Sequence, residues 1–404
     1  MQHKYLGWQA RERVLEVLDE TVNDPSLKLD VFAFDLDEPE VVKRLFILIQ
    51  QNRLRVILDN SATHIKAGCF EQQFDQKVRK ICTDTGIKVK DVLFRGKFQS
   101  LSHSKIFIQK KSNKAVKVLT GSTNFTTNGL YINANHVIIF DDPKVTQLYD
   151  DVFNKSFGSK LMKDFKNTEP ALNDQNISLP GMPDMTIRFS PHTREVADKY
   201  FAAIADRIAG KDHGAKSDLL FAIMNDRSKS TILDAVKKQV KSDKIFTYGI
   251  VDTAGKDYGV SLYKPKSKRG IRVAGKGTSY ILPPPFHDVA HIPGISVHHK
   301  FIVVDFKTEN AVVYCGSSNL AYTPEQKNGD NLIEIRDKDI VTAFAIEAIR
   351  LVDHFHWRSK ENVAKIKNKP MHLDDLTDPK NMWYTSYYDP RDMHCLERQL
   401  FSKQ

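Results

Sequence analysis

Two short blocks in this chain place an ammonium group two residues after an imidazole: His103-Ser104-Lys105 and His298-His299-Lys300. A glycine follows each motif histidine by 18 residues, opening Gly121-Ser122-Thr123-Asn124 in one case and Gly316-Ser317-Ser318-Asn319 in the other. The His, Lys, Gly, Ser and Asn of the first copy all precede their counterparts by 195 residues. An imidazole near neutral pH can act as a nucleophile or carry a proton. A lysine supplies fixed positive charge, and Ser and Asn supply neutral donors. Brought together, two copies make a pocket of two His, two Lys and two Asn, whose natural guest is a phosphate diester. In that scheme Lys105, Lys300, Asn124, Asn319, Ser122 and Ser317 bind the non-bridging oxygens and stabilise charge building at phosphorus. His103 and His298 are the catalytic pair, one attacking phosphorus and the other protonating the leaving oxygen. The lysines carry the positive charge, so the scheme calls for no metal and no cofactor. One His-x-Lys or one Gly-Ser-x-Asn would be an ordinary strand end or turn; the repetition at a single offset gives them weight.

The elements that would position these groups are legible from hydrophobic patterning. Side chains on a strand alternate with period two, so the His and Lys of each block project from one face at the leading end of an apolar strand. Each Gly-Ser-x-Asn block follows an apolar run, Ala115–Leu119 or Ala311–Cys315, and reads as a strand-to-loop turn where glycine allows close backbone approach. Upstream, a buried strand, a helix and a second strand recur: Val31–Phe34, Glu40–Phe46 and Leu54–Leu58, then Leu219–Met224, Thr231–Val236 and Ile245–Ile250. Apolar strands alternating with helical patterns predict an α/β fold of two similar halves. Each half has a mostly β-sheet core flanked by helices, and the two pack as a pseudo-dimer around one shared active site. The halves are predicted at 1–166 and 193–404, the second with a C-terminal tail. Between them, 167–192 is a Pro-rich connection carrying Pro170, Pro180, Pro183 and Pro191.

These blocks resemble the phospholipase D superfamily signature, H-x-K-x4-D followed by G-S-x-N or G-S-x-x-N. The resemblance spans both halves. It implies a pseudo-dimeric α/β phosphodiesterase with a phosphohistidine intermediate and no metal cofactor. The second motif is complete through Asp305, whereas Lys110 stands at the corresponding place in the first. That place is an odd number of residues from the motif His and faces away from it, so Asp305 is expected to support rather than catalyse. The tyrosyl-DNA phosphodiesterase branch is similar in lacking this Asp, and activity is expected to survive. The resemblance further implies His103 as nucleophile and His298 as general acid. Asn135 and Asn331, each ahead of a short apolar strand, match polar positions that orient a catalytic His in family members; an ordinary strand-start role fits them equally.

Composition narrows the substrate. Lys and Arg number 60 against 50 Asp and Glu, a formal charge of +10, which favours encounter with polyanions. A nuclease acting on DNA or RNA is therefore the leading expectation. The alternatives are a phospholipase or phosphatidyltransferase acting on lipid diesters, and a nucleic-acid-binding module with a decayed site. Lys266, Lys268, Arg269 and Arg272 lie in the densest basic run and are expected to contact a phosphate backbone. His287 and His291 have the spacing of a helical zinc pair, but Pro283–Pro285 just before them favours a loop, and no metal is assigned. Four scattered cysteines, no secretory leader and no membrane-length apolar run predict a cytoplasmic protein with reduced thiols. No membrane contact is expected, and one chain suffices for a complete site.

Overall fold

The computed structural model describes residues 8–211, 218–225, 228–242, 245–253, 270–274, 297–366, 382 and 384–402. In the first half the strands are β1 (Leu27–Ala33), β2 (Leu54–Asp59), β3 (Leu93–Gly96), β4 (Ile106–Lys111), β5 (Lys114–Gly121) and β6 (Val137–Phe140). They form one sheet in the order β3-β2-β1-β4-β5-β6. β3, β2 and β1 run parallel, and β4, β5 and β6 continue antiparallel. Parallel neighbours need a crossover, and the helices Pro39–Gln50 and Phe70–Thr85 supply it.

The remaining strands are β7 (Gln175–Ile177), β8 (Asp184–Ser190), β9 (Asp218–Asn225), β10 (Phe246–Thr253), β11 (Gly270–Ala274), β12 (Lys300–Val304), β13 (Val312–Gly316) and β14 (Asp330–Arg336). Their order is β11-β10-β9-β12-β13-β14-β8-β7. The first six of these repeat the order of the first sheet, with β11, β10 and β9 again parallel. The chain is thus an α/β protein of two similar halves, each a mixed sheet flanked by helices.

The segment 167–192, expected as a connection, is structured instead. It holds the helix Glu169–Leu172 and the antiparallel pair β7–β8. Its prolines are compatible with this because Pro170 occupies the first turn of the helix, where no N–H is required. Pro180 and Pro183 fall in the turn between the strands.

By compactness the chain divides into one unit of Met1–Phe201, His298–Lys300 and Tyr314–Glu334, and another of Ala202–Val297, Phe301–Val313 and Ile335–Gln404. In the first unit the helix Pro39–Gln50 buries Val41, Leu45, Leu48 and Ile49. That spacing forms one stripe over the sheet, and burying each such side chain contributes about 1.5–3 kcal/mol. The helix starts where the Glu38 carboxylate accepts the Val41 N–H at 2.7 Å. In the second unit the helix Lys338–Ile366 packs on β9, β10 and β11. Tyr248 Oη donates to Asp353 at 2.6 Å there. Among the described residues no helix is long and apolar enough to cross a membrane.

Candidate active site

His103 and Lys105 lie on the extended segment entering β4, and His298 and Lys300 on the one entering β12; all four are buried. The backbone of each segment is tied to the opposite repeat. His103 N–H donates to Gly329 O, and His298 N–H donates to Ala134 O, both at 3.0 Å. The next residue then holds the ring. Asp330 Oδ1 lies 2.7 Å from His103 Nδ1, and Asn135 Oδ1 lies 2.9 Å from His298 Nδ1. A carboxylate only accepts, so His103 Nδ1 carries a proton and Nε2 keeps its lone pair. The Asn135 amide is oriented by its own donation to Gly129 O at 2.9 Å and by Ser122 Oγ–H donating to its Oδ1 at 2.8 Å. His298 Nδ1 therefore donates as well.

The lysines are held against the same rings. Lys300 Nζ donates to His298 O at 3.0 Å and lies 3.2 Å from His298 Nε2. Lys105 Nζ donates to His103 O and sits 4.8 Å above the centre of the Phe34 ring. Burial first, and then neighbouring charges of both signs, set the proton affinities. His298 falls well below an ordinary histidine through burial and then the charges of Lys300, Lys105 and His103. His103 is also lowered by burial, with Asp330 opposing and Lys105 and Lys300 adding to the effect. Lys300 falls well below an ordinary lysine through burial and then Lys105. Burial brings Lys105 down to about 8 against the pull of Asp330, Asp35 and Asp59. These mutual influences mean the four side chains share one electrostatic environment, poor in solvent and rich in positive charge. An anion would relieve it.

The two glycine turns pack against corresponding neighbours in the two repeats. Gly121 and Gly316 have φ of +143° and +131°, and an added Cβ would lie 2.3 Å from His136 O and 2.5 Å from Asn331 O, respectively. Glycine is required at both positions. The hydroxyls of the serines that follow are hydrogen-bonded within the protein. Ser122 Oγ donates to Asn135 and accepts from His136 N–H at 3.1 Å, while Ser317 Oγ accepts from Asn331 N–H at 3.0 Å. Both serines are fully buried. Their small hydroxyls brace the strand carrying the residue on the motif His. Asn124 Nδ2 donates to Asp35 Oδ2 at 2.6 Å. Asn124 Oδ1 and Asn319 Oδ1 are buried without a hydrogen-bond partner.

Asn331 departs from the expected His-orienting role. Asn331 does not touch a motif histidine; its amide donates to Thr120 Oγ1 at 2.8 Å. The orienting residue is Asp330, one position earlier, and the shared offset of 195 from Asn135 points to it directly. Asp305 belongs to the second unit and lies 3.5 Å from Arg207, a structural ion pair. Lys110, at the corresponding place in the first repeat, pairs with Asp150 at 2.7 Å and Asp30 at 3.5 Å. The charge at this position is reversed and its partners are reversed with it. Lys266, Lys268 and Arg269 lie outside the described residues, as do His287 and His291; Arg272 is on β11, its side chain outside them too.

Sequence reasoning also missed a buried pair on the same floor. His136 Nδ1 and His299 Nδ1 are 3.2 Å apart with their rings parallel to within 4°. Gly316 N–H donates to His136 Nε2 at 3.3 Å, which leaves the proton on His136 Nδ1, 3.2 Å from both His299 Nδ1 and Ser122 Oγ. Among the described residues one cluster has metal-ligand chemistry: the ligand atoms of Asp35, His64 and Glu71 lie within 4.8 Å of one another.

Residues 18–157 match the family described as "Cardiolipin synthase, PLD-like domain". No curated protein sequence matches the chain. Among solved structures the chain is similar to the phosphatidylserine synthase of Haemophilus influenzae Rd KW20, at 10% identity and a TM-score of 0.56, over 98% of this chain and 91% of that one. It is similar to the polyphosphate kinase of Porphyromonas gingivalis at 11% identity and a TM-score of 0.54. That match covers 84% of this chain and 48% of the kinase, so the chain spans about half the kinase's length. A yeast tyrosyl-DNA phosphodiesterase aligns at 12% identity with a TM-score of 0.40, over 80% of this chain and 85% of that one. For the synthase and the kinase, the likeness at such identities is one of fold.

Proposed function

We propose that the chain is a phosphodiesterase of the phospholipase D type working through a phosphohistidine on His103, with nucleic acid as its substrate class; the family match at residues 18–157 supports this. The observation that carries the chemistry is the unequal support of the two rings: a carboxylate behind His103 and a neutral amide behind His298. A carboxylate on Nδ1 makes Nε2 the stronger nucleophile and stabilises positive charge on the ring once phosphorus is attached. His103 Nε2 attacks phosphorus as the P–O bond to the leaving group breaks, and the departing oxygen takes a proton from His298 Nε2. Water then attacks phosphorus, giving its proton to the now neutral His298 as the N–P bond breaks. His103 is regenerated, and the products are an alcohol and a phosphomonoester. The bound diester supplies the negative charge that offsets Lys105 and Lys300, which lets His298 hold the proton it later gives up. The scheme places positive charge from side chains where a metal ion would otherwise be invoked.

Nucleic acid as substrate is supported by the formal charge of +10. A second reading, transfer or hydrolysis at a lipid phosphodiester, is favoured by the match to the cardiolipin synthase-type domain and by the near full-length fold likeness to a phosphatidylserine synthase. One experiment separates them. The purified protein is incubated in EDTA with labelled single- and double-stranded DNA, RNA and phosphatidylcholine vesicles, alongside His103→Ala and His298→Ala. Cleavage of DNA or RNA that both substitutions abolish is the expected result. Turnover of lipid alone rejects the nucleic-acid reading, and no turnover of any diester rejects the phosphodiesterase.

A further inference from the structure

Beside the phosphoryl pocket, His64 is wedged between two aspartates. Its Nδ1 is 2.9 Å from Asp59 Oδ1 and its Nε2 is 2.8 Å from Asp35 Oδ1. A neutral imidazole has one N–H, so one of these contacts would set a lone pair against a carboxylate oxygen. Both contacts are attractive only when the ring carries two protons. Each aspartate uses its other oxygen on the proposed site. Asp59 Oδ2 accepts the N–H of Ser102, the residue before His103, at 2.6 Å. Asp35 Oδ2 accepts the amide of Asn124 at 2.6 Å. The Phe34 ring stands edge-on to both imidazoles, 4.6 Å from His64 and 4.7 Å from His103, and under Lys105.

We propose that His64 is a positioning residue for this site: an imidazolium clamp that holds Asp59 and Asp35 and cancels part of their negative charge beside an anion pocket. The proposal rests on the phosphoryl-transfer reading and adds a charge-balance role to it. Asp35 and Asp59 together bring two negative charges to within electrostatic reach of Lys105. With His64 charged, the net is one; with His64 neutral, it is two, and an incoming phosphate meets that excess. The other groups around His64 do not replace its charge. Ser61 Oγ is neutral at 3.0 Å from Nδ1, and Glu71 adds a third carboxylate nearby. Arg95 donates to the His64 and Glu71 backbone carbonyls, and Cys69 Sγ also donates to His64 O; the Arg95 charge also reaches Glu71 and Asp59, so it offsets the added Glu71 carboxylate and leaves the balance of His64 with its two aspartates as counted. Burial opposes charge on the ring, yet the two aspartates lift it to about 10. The second repeat has the counterpart of one arm, since buried Asp252 accepts Val297 N–H, one residue before its motif histidine, at 2.9 Å.

The test measures charge state and anion binding apart from turnover. Ring-nitrogen NMR of the full chain at pH 8 should find His64 doubly protonated; a neutral ring overturns the proposal. Titration with inorganic phosphate should give a dissociation constant about tenfold weaker for His64→Gln, a size expected of one unbalanced charge near the pocket. His64→Arg, which keeps the charge and two donors, should recover most of the loss. Asp35→Asn combined with His64→Gln should bind phosphate more tightly than His64→Gln alone. Equal phosphate affinity in His64→Gln and the unaltered protein overturns the proposal even if the melting temperature falls, because packing alone would do that. Zinc bound at Asp35, His64 and Glu71 with loss of the ring proton also overturns it. Phosphate binding that follows these expectations without cleavage of any diester rejects the phosphodiesterase reading and leaves the clamp standing.

Discussion

The asymmetry between Asp330 and Asn135 makes a quantitative prediction. Asp330→Asn keeps an acceptor of the same size at 2.7 Å from His103 Nδ1 but removes its charge. In the resting site the difference between a charged and a neutral hydrogen bond is about 1 kcal/mol. During attack the His103 ring becomes positive as the N–P bond forms, and the lost attraction grows. At a charge separation of about 4 Å and an effective dielectric near 20, Coulomb's law gives about 4 kcal/mol as the upper end. A loss of about 2–4 kcal/mol corresponds to a fall in kcat of about thirty- to nearly a thousandfold. KM should change little, because Asp330 binds the ring and not the diester. Rapid quench of a single turnover, with mass spectrometry of the trapped protein, reads both the rate and the site of phosphorylation. The phosphoryl group should sit on His103 in the unaltered protein. Adding Asn135→Asp to Asp330→Asn moves the carboxylate to His298 and should shift part of the adduct there. Recovery should be partial, because Asn135 also donates to Gly129 O and an aspartate cannot. An adduct on His298 in the unaltered protein, or a kcat within about threefold of normal in Asp330→Asn, would refute the reasoning.

Two further outcomes follow from the same geometry. The profile of kcat/KM against pH should be bell-shaped, since attack needs neutral His103, while rising pH removes the proton of His298 and the charge of Lys105. His103 is lowered from 6.5, which puts the acid limb below pH 6.5, and the alkaline limb begins no later than the loss of charge on Lys105 at about 8; a rate still climbing between pH 8 and 9 contradicts this. Lys110→Met should lower stability to urea by about 3 kcal/mol, since it strands the buried Asp150 carboxylate. Activity at 25 °C should stay within about twofold, and adding Asp150→Leu should restore most of the stability. A large loss of kcat in folded Lys110→Met would instead tie that ion pair to the chemistry.

Much of the site is written in local order along the chain. Period-two alternation and apolar runs locate β1, β2, β5, β9 and β10, because a strand buried on both faces must be apolar throughout. The constant offset of 195 aligns the motif residues, and it reaches as far as Asn135 and Asp330. What each side chain touches is another matter. Ser122 and Ser317 have the right chemistry to bind phosphate, yet the positive-φ glycines turn the backbone so that both hydroxyls face inward. The residue on each imidazole comes from the other repeat, 227 residues away for His103 and 163 for His298. The His64 clamp joins residues 29 and 5 positions apart with no periodic signal. The exchange of Asp for Lys at position 110 makes sense only beside Asp150, 40 residues on. Residue type and spacing determined which groups were available, since these are properties of the chain. Proton affinity and partner choice were decided by the tertiary structure, because burial and the nearest charge depend on distances in space.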